Sequence, residues 1–247
     1  MRNPKWHRDE LILALDLYFK LEPGQIHARN PTIVELSQTL NALPFSDAKT
    51  DAELYRNPNG VGLKLSNFLA IDPNYKGKGM QSYSKLDEQV FKEFVNNQIL
   101  LRKLASNIKA TLLQEKLVKE LKAPLVEDEE GDEYSAPEGK LLYKLHRYRE
   151  RNRTLVEKKK KEYLKKHGSL ACELCSFDFE KVYGATGKGF IECHHRTPLS
   201  ELTPDTKTTL NDLMLICSNC HRMVHRGWDN KTVKNLKKGR VLKDLNG

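Results

Sequence analysis

Two runs of the chain decide its fold: Phe190-Ile191-Glu192-Cys193-His194-His195-Arg196-Thr197-Pro198-Leu199, and Cys217-Ser218-Asn219-Cys220-His221-Arg222-Met223-Val224-His225. Residues Phe190 to Cys193 suit a short strand that Pro198 ends, because proline cannot donate to a sheet ladder. Residues 218–226 suit a helix, on which His221 and His225, four apart, face the same side. Cys217 and Cys220 repeat the spacing of Cys172 and Cys175, with 41 residues between the two pairs. Each short turn lets two sulfurs reach one ion about 2.3 Å away, and four thiolates favour zinc. Four protein ligands leave no open position, so this zinc is expected to be structural. Two disulfides are the rival reading. It fits poorly with an odd count of five cysteines and an amino terminus, MRNPKWHRDELILAL, without a long apolar run or a small-residue cleavage site. A reducing, cytoplasmic compartment is therefore expected. Cys193 is left over and reads as a small buried residue. Four histidines within 32 residues, beside a closed zinc site, read as a metal cluster and not as four isolated core histidines.

The run Glu192-Cys193-His194-His195, Pro198-Leu199, Asn211 and the pair of Cys217 and Cys220 followed by His221 and His225 resembles the HNH endonucleases, whose nuclease unit has the ββα-metal fold. The resemblance covers residues 170–226. It is similar to the zinc-stapled McrA-like type and, more remotely, to the colicin DNases. The whole chain also resembles bacterial HNH proteins often labelled modified-cytosine restriction proteins, which implies a bacterial cytoplasmic setting. By that resemblance His195 is the general base that activates water against the scissile phosphate, and His194, His221 and His225 bind the catalytic divalent ion, His225 as a third ligand or a support. Asn211 holds the loop and orients His195. Glu192 corresponds to the acidic residue found two before the histidine pair, and Arg196 and Arg222 contact phosphate. The chemistry agrees. A neutral imidazole suits proton abstraction from water near pH 7, and a bound cation stabilises the phosphate and the leaving oxygen. Mg²⁺, Mn²⁺ or Ni²⁺ would serve, zinc also, and the residue types do not choose among them.

Outward from this region the charge is uneven. Residues 127–133, EDEEGDE, carry six acids and no base, and residues 134–168 carry twelve bases and four acids. The acidic run is too polar and self-repelling to bury, and reads as a linker. The basic stretch is built of helix formers and includes Lys158, Lys159, Lys160 and Lys161; phosphate contact there would position the protein without reading sequence. The chain thus divides into 1–126, a helical domain; 127–138, an acidic linker; 139–168, a basic helical connector; and 169–247, the nuclease domain. The fold class expected is mainly α with a small α+β part.

In the amino-terminal region, helices are expected at 8–20, at 31–41 after the cap Asn30, and from Gly60 to Ile71, with one or two more across 86–122. Gly77-Lys78-Gly79-Met80 reads as a flexible basic loop. Three short helices suggest a helix-turn-helix-like unit whose third helix offers Lys64 and Asn67 to a DNA groove, with Arg56, Asn57 and Asn59 beside it. An ordinary helical bundle with a solvated face stands as an equal reading. Trp6, Tyr18, Tyr55 and Tyr75 could form a pocket for an extruded base, though such aromatics usually belong to a core.

The net charge of +9 permits a polyanionic partner. No stretch approaches the 18 or so apolar residues of a transmembrane helix. The function expected is a metal-dependent DNA endonuclease of restriction type, acting on double-stranded DNA and reading modified bases in one version. The alternatives are a nicking or homing-type nuclease on unmodified DNA, or a non-catalytic zinc-dependent DNA-binding protein. A homodimer is one arrangement that would supply two active sites for a double-strand break.

Overall fold

The structure, a computed structural model of the 247-residue chain, describes residues 3–44, 54–80, 82–121, 139–150, 152–196 and 208–225. These fall into two compact units, with the division between Leu145 and His146. The acidic linker 127–138 lies outside the described residues, as do Pro198 and Leu199.

The first unit is helical. Its centre is α1 (Arg8–Tyr18), where Leu11, Ile12, Leu13, Ala14 and Leu15 are all within 1% of full burial. A helix apolar on every side has to be surrounded by others. Around it stand α2 (Pro31–Ala42), α3 (Pro58–Ile71), α4 (Lys85–Phe94) and α5 (Gln98–Leu112), with α6 (Glu115–Leu121) packed on α5. Local chemistry sets their starts. Asn30 accepts from Thr32 N ahead of Pro31, Asn57 accepts from Gly60 N ahead of Pro58, and Ser84 and Asp87 form a capping box. Phe68, Phe91 and Phe94 are among the largest fully buried side chains. The hydroxyl of buried Tyr18 donates to Asp72 at 2.8 Å, and Tyr55 is 2% exposed. Tyr18 and Tyr55 are thus core residues.

The 77–80 loop is not free. Met80 N donates to Ser66 O, and a Cβ on Gly79 would stand 2.3 Å from Ala70 N, so the loop lies flat on α3 and only glycine allows the approach.

Helix α7 (Lys140–Glu150) contains the division between the units. At its start, buried Asp9 of α1 accepts from Lys140 N at 2.7 Å and Leu141 N at 2.9 Å, a carboxylate cap on the positive helix end. Burial raises the Asp9 pKa, and these N–H groups oppose the rise. Gly139 precedes the helix at φ +94°, where a Cβ would meet Asp9 Oδ1 at 2.7 Å, so no L side chain fits. Leu141, Leu142 and Leu145 belong to the first unit's core.

The second unit begins with the end of α7 and continues through α8 (Arg153–His167), capped by Asn152 and ended by Gly168 in the left-handed conformation. The cysteine turn and the short α9 (Phe179–Tyr183) follow. Then come β1 (Glu192–His195), β2 (Leu213–Ile216) and α10 (Ser218–His225). The strands pair antiparallel, Glu192 opposite Ile216 and His195 opposite Leu213. The observed strand therefore starts two residues later than the sequence suggests and includes the histidine pair, because the pairing with the apolar run Leu213–Ile216 fixes the register. No helix of the described residues is long and apolar enough to cross a membrane.

Candidate metal centre

Four thiols meet at the head of α10. Cys172, Cys175, Cys217 and Cys220 offer sulfurs all within 4.8 Å of one another, and Cys175 Sγ lies 3.6 Å from Cys217 Sγ. Four sulfurs around one tetrahedral zinc at 2.3 Å stand about 3.8 Å apart, whereas a disulfide needs about 2.05 Å. The set fits zinc, and all five cysteines are free thiols. Ser176, at φ +63°, turns the chain sharply after Cys175, and Ser176 N donates to Cys172 O. Burial works against ionisation of Cys172, but N–H groups around it, including those of Cys175, Cys217 and Leu174, bring its pKa down. Cys193 stands apart. Burial first, and then the charge of Glu150, push its thiol up to about 12.

Strand alternation sorts the next group. Glu192 and His194, two apart on β1, share one face, and Cys193 and His195 share the other. Toward the first face α10 brings His221 and His225, one turn apart. The fourth member is Glu150, the last residue of α7. Ligand atoms of Glu150, His194, His221 and His225 all lie within 4.8 Å of one another. Glu150 Oε1 is 2.8 Å from His194 Nδ1 and 3.2 Å from His221 Nε2, and His225 Nε2 is 3.0 Å from His221 Nε2. Atoms around one ion at about 2.1 Å stand roughly 3–3.5 Å apart, so the group fits a divalent cation. His194, His221 and Glu150 are buried. Glu192 accepts from His221 Nδ1 on the opposite side of that ring and from Ser218 Oγ. Burial pulls the His221 pKa down, but hydrogen bonds to Glu150 and Glu192 and their charges prevail and push it up to about 9.

The remaining expected site residues are scattered. His195 is buried, with Nε2 3.2 Å from Thr208 Oγ1. Asn211 is exposed in the turn Leu210–Asp212 and makes no hydrogen bond to His195 among the described residues, so the residue found beside His195 is Thr208. Arg196 pairs with Glu173 and donates to Leu213 O, while Arg222 is exposed. Four successive helical residues point around most of a turn, which divides the lysine run. Lys158 and Lys161 are exposed, Lys159 is buried, and Lys160 donates to Gly189 O.

The expectation of a DNA-reading face on α3 needs correction for its basic members. Lys64 is 7% exposed and bonds both carboxylate oxygens of Asp87 at 2.8 Å. Asn67 is half-buried beside the same carboxylate. Arg56 is 3% exposed, held by Glu10 and the carbonyls of Pro4 and Lys5, with Trp6 4.4 Å away on its cation face. Once carboxylates of α1 and α4 are available, pairing inside costs less than leaving these charges half-desolvated.

Sequence reasoning missed Glu150. It stands 44 residues before His194 inside a basic run, with no local motif, as one of four acids among twelve bases.

A family model described as HNH endonuclease matches residues 172–227. No curated protein and no solved structure matches the chain.

Proposed function

We propose that the chain, which carries an HNH endonuclease domain over residues 172–227, is a metal-dependent endonuclease that hydrolyses phosphodiester bonds of double-stranded DNA. One observation carries the reading: three imidazoles from β1 and α10 converge beside a four-thiol cluster suited to zinc.

His194, His221 and His225 would hold the divalent ion, Mg²⁺, Mn²⁺ or Ni²⁺. When bound, that ion supplies charge stabilisation to the phosphate and the departing 3′-oxygen. The rest falls to the protein. An imidazole nitrogen of His195 takes the proton of the attacking water as the new oxygen–phosphorus bond forms and the bond to the 3′-oxygen breaks. Thr208 fixes the His195 ring. Glu192 fixes the His221 ring so that Nε2 faces the cluster. Cys172, Cys175, Cys217 and Cys220 would hold a zinc at the start of α10, which carries two of the histidines, and a zinc there would add stability to a small core. Lys158, Lys161 and Arg222, among the exposed cations of the second unit, would contact phosphate.

A restriction-type role, with modified bases read by the first unit, is the fuller form of this reading. A nicking or homing-type enzyme shares the site and differs in substrate. The test is cleavage of matched unmodified, methylated and hydroxymethylated duplexes with Mn²⁺, Mg²⁺ or Ni²⁺, with product ends mapped. Cutting or nicking of at least one duplex is expected. If no duplex is cut with any of the ions, the non-catalytic zinc-dependent DNA-binding alternative takes its place.

A further inference from the structure

We infer that Glu150 is itself a ligand of the divalent ion, so that the centre is three imidazoles and one carboxylate. This rests on the reading of His194, His221 and His225 as ligands and adds a residue outside the family match, delivered by the preceding helix.

Glu150 is 6% exposed and, as the last residue of α7, stands at the negative end of the helix dipole. When the imidazoles beside it are neutral, as metal ligands are, a divalent ion would supply positive charge at this buried carboxylate.

Geometry separates a direct ligand from an outer partner. Glu192 engages His221 Nδ1, so Nε2 is the nitrogen His221 can give to an ion. Glu150 Oε1 stands 3.2 Å from that same Nε2, and His225 Nε2 stands 3.0 Å from it. Glu150 Oε2 lies 3.7 Å from His225 Nε2. The carboxylate therefore faces ring nitrogens of three histidines, His194 Nδ1 at 2.8 Å included, and meets His221 on the Nε2 side, where Glu192 meets that ring on the Nδ1 side. An oxygen donor should shift the preference of an otherwise all-imidazole site toward harder ions such as Mn²⁺, away from Ni²⁺.

The experiment titrates full-length protein, with its thiolate zinc in place, with Mn²⁺ and separately with Ni²⁺. Free Mn²⁺ is followed by its paramagnetic resonance signal and Ni²⁺ by calorimetry, for wild type, Glu150→Gln, Glu150→Ala and Glu192→Gln. Zinc content and melting of each variant establish that the fold is kept, and Glu150→Gln covers the case in which alanine is not tolerated. Expected is a Mn²⁺ affinity that falls in the Glu150 variants by more than the roughly 10–100-fold typical of an outer partner, with a clearly smaller loss for Ni²⁺. Glu192→Gln should weaken both ions alike. Unchanged or tighter Mn²⁺ binding in the Glu150 variants would make Glu150 a plug and overturn the assignment, as would equal losses for the two ions. A wild-type chain that takes up no Mn²⁺ sinks the histidine centre itself. Neither result depends on whether DNA is cut.

Discussion

Glu192 and His221 are coupled across β1 and α10: the carboxylate accepts a hydrogen bond from Nδ1, and Nε2 faces Glu150 and His225. On the proposed reading, an acid two before the histidine pair acts through a metal ligand and not on the substrate. Glu192→Gln should raise the metal concentration needed for half-maximal cleavage about 10–100-fold, the usual cost of losing a ligand's outer partner. Near-wild-type cutting should return at saturating metal. A variant that stays slow at any metal concentration would show that Glu192 acts on the substrate instead.

His195 occupies the strand face away from this cluster. His195→Ala should therefore stop cleavage while leaving Mn²⁺ affinity and zinc content as they were. Joint loss of Mn²⁺ binding and cutting would reassign His195 to the metal.

The thiolate cluster anchors α10 through Cys217 and Cys220. Cys217→Ala, or zinc extraction with a strong chelator, should unfold the second unit and leave the helices of the first. Circular dichroism and zinc content read this directly. A second unit that melts unchanged without zinc would refute the structural role.

In the first unit, the buried pair Arg56–Glu10 has side-chain exposures of 2% and 1%. Arg56→Met strands the Glu10 carboxylate and should cost about 3–5 kcal/mol of stability. Replacing both partners with apolar residues should recover much of that, measured by denaturant unfolding. Equal losses in the single and double variants would mean that packing, and not the stranded charge, sets the cost.

The lysine run supplies a test of phosphate contact. Lys158→Ala and Lys161→Ala should each lower the slope of log affinity against log salt for DNA by about 1. Lys159→Ala, at a buried position, should leave that slope unchanged. A slope blind to all three places the polyanion elsewhere.

The second unit was largely legible because its chemistry is local. Paired cysteines, His221 and His225 one turn apart, and the alternation of Glu192 with His194 each carry their geometry in their spacing. The helices of the first unit were legible through their caps, at Asn30 and Asn57. Two things were not. Whether a basic side chain such as Lys64 or Arg56 faces water depends on Asp87 and Glu10, carboxylates 23 and 46 residues away. Glu150 reaches the cluster from a neighbouring helix, and nothing in a window around it announces a ligand. Periodicity reports the faces of one element; such pairings belong to two.

The route of α7 bears on how this gene product could be taken apart. The acid-rich stretch before it looks like the natural cut. A fragment starting there would carry Leu141, Leu142 and Leu145 without the core that covers them, and a fragment starting after Leu145 would lose the first half of the helix that presents Glu150. The second unit is thus not a freely portable cassette. Any fusion or exchange of its partner domain has to bring along a surface that accepts the three leucines and an acid in the place of Asp9.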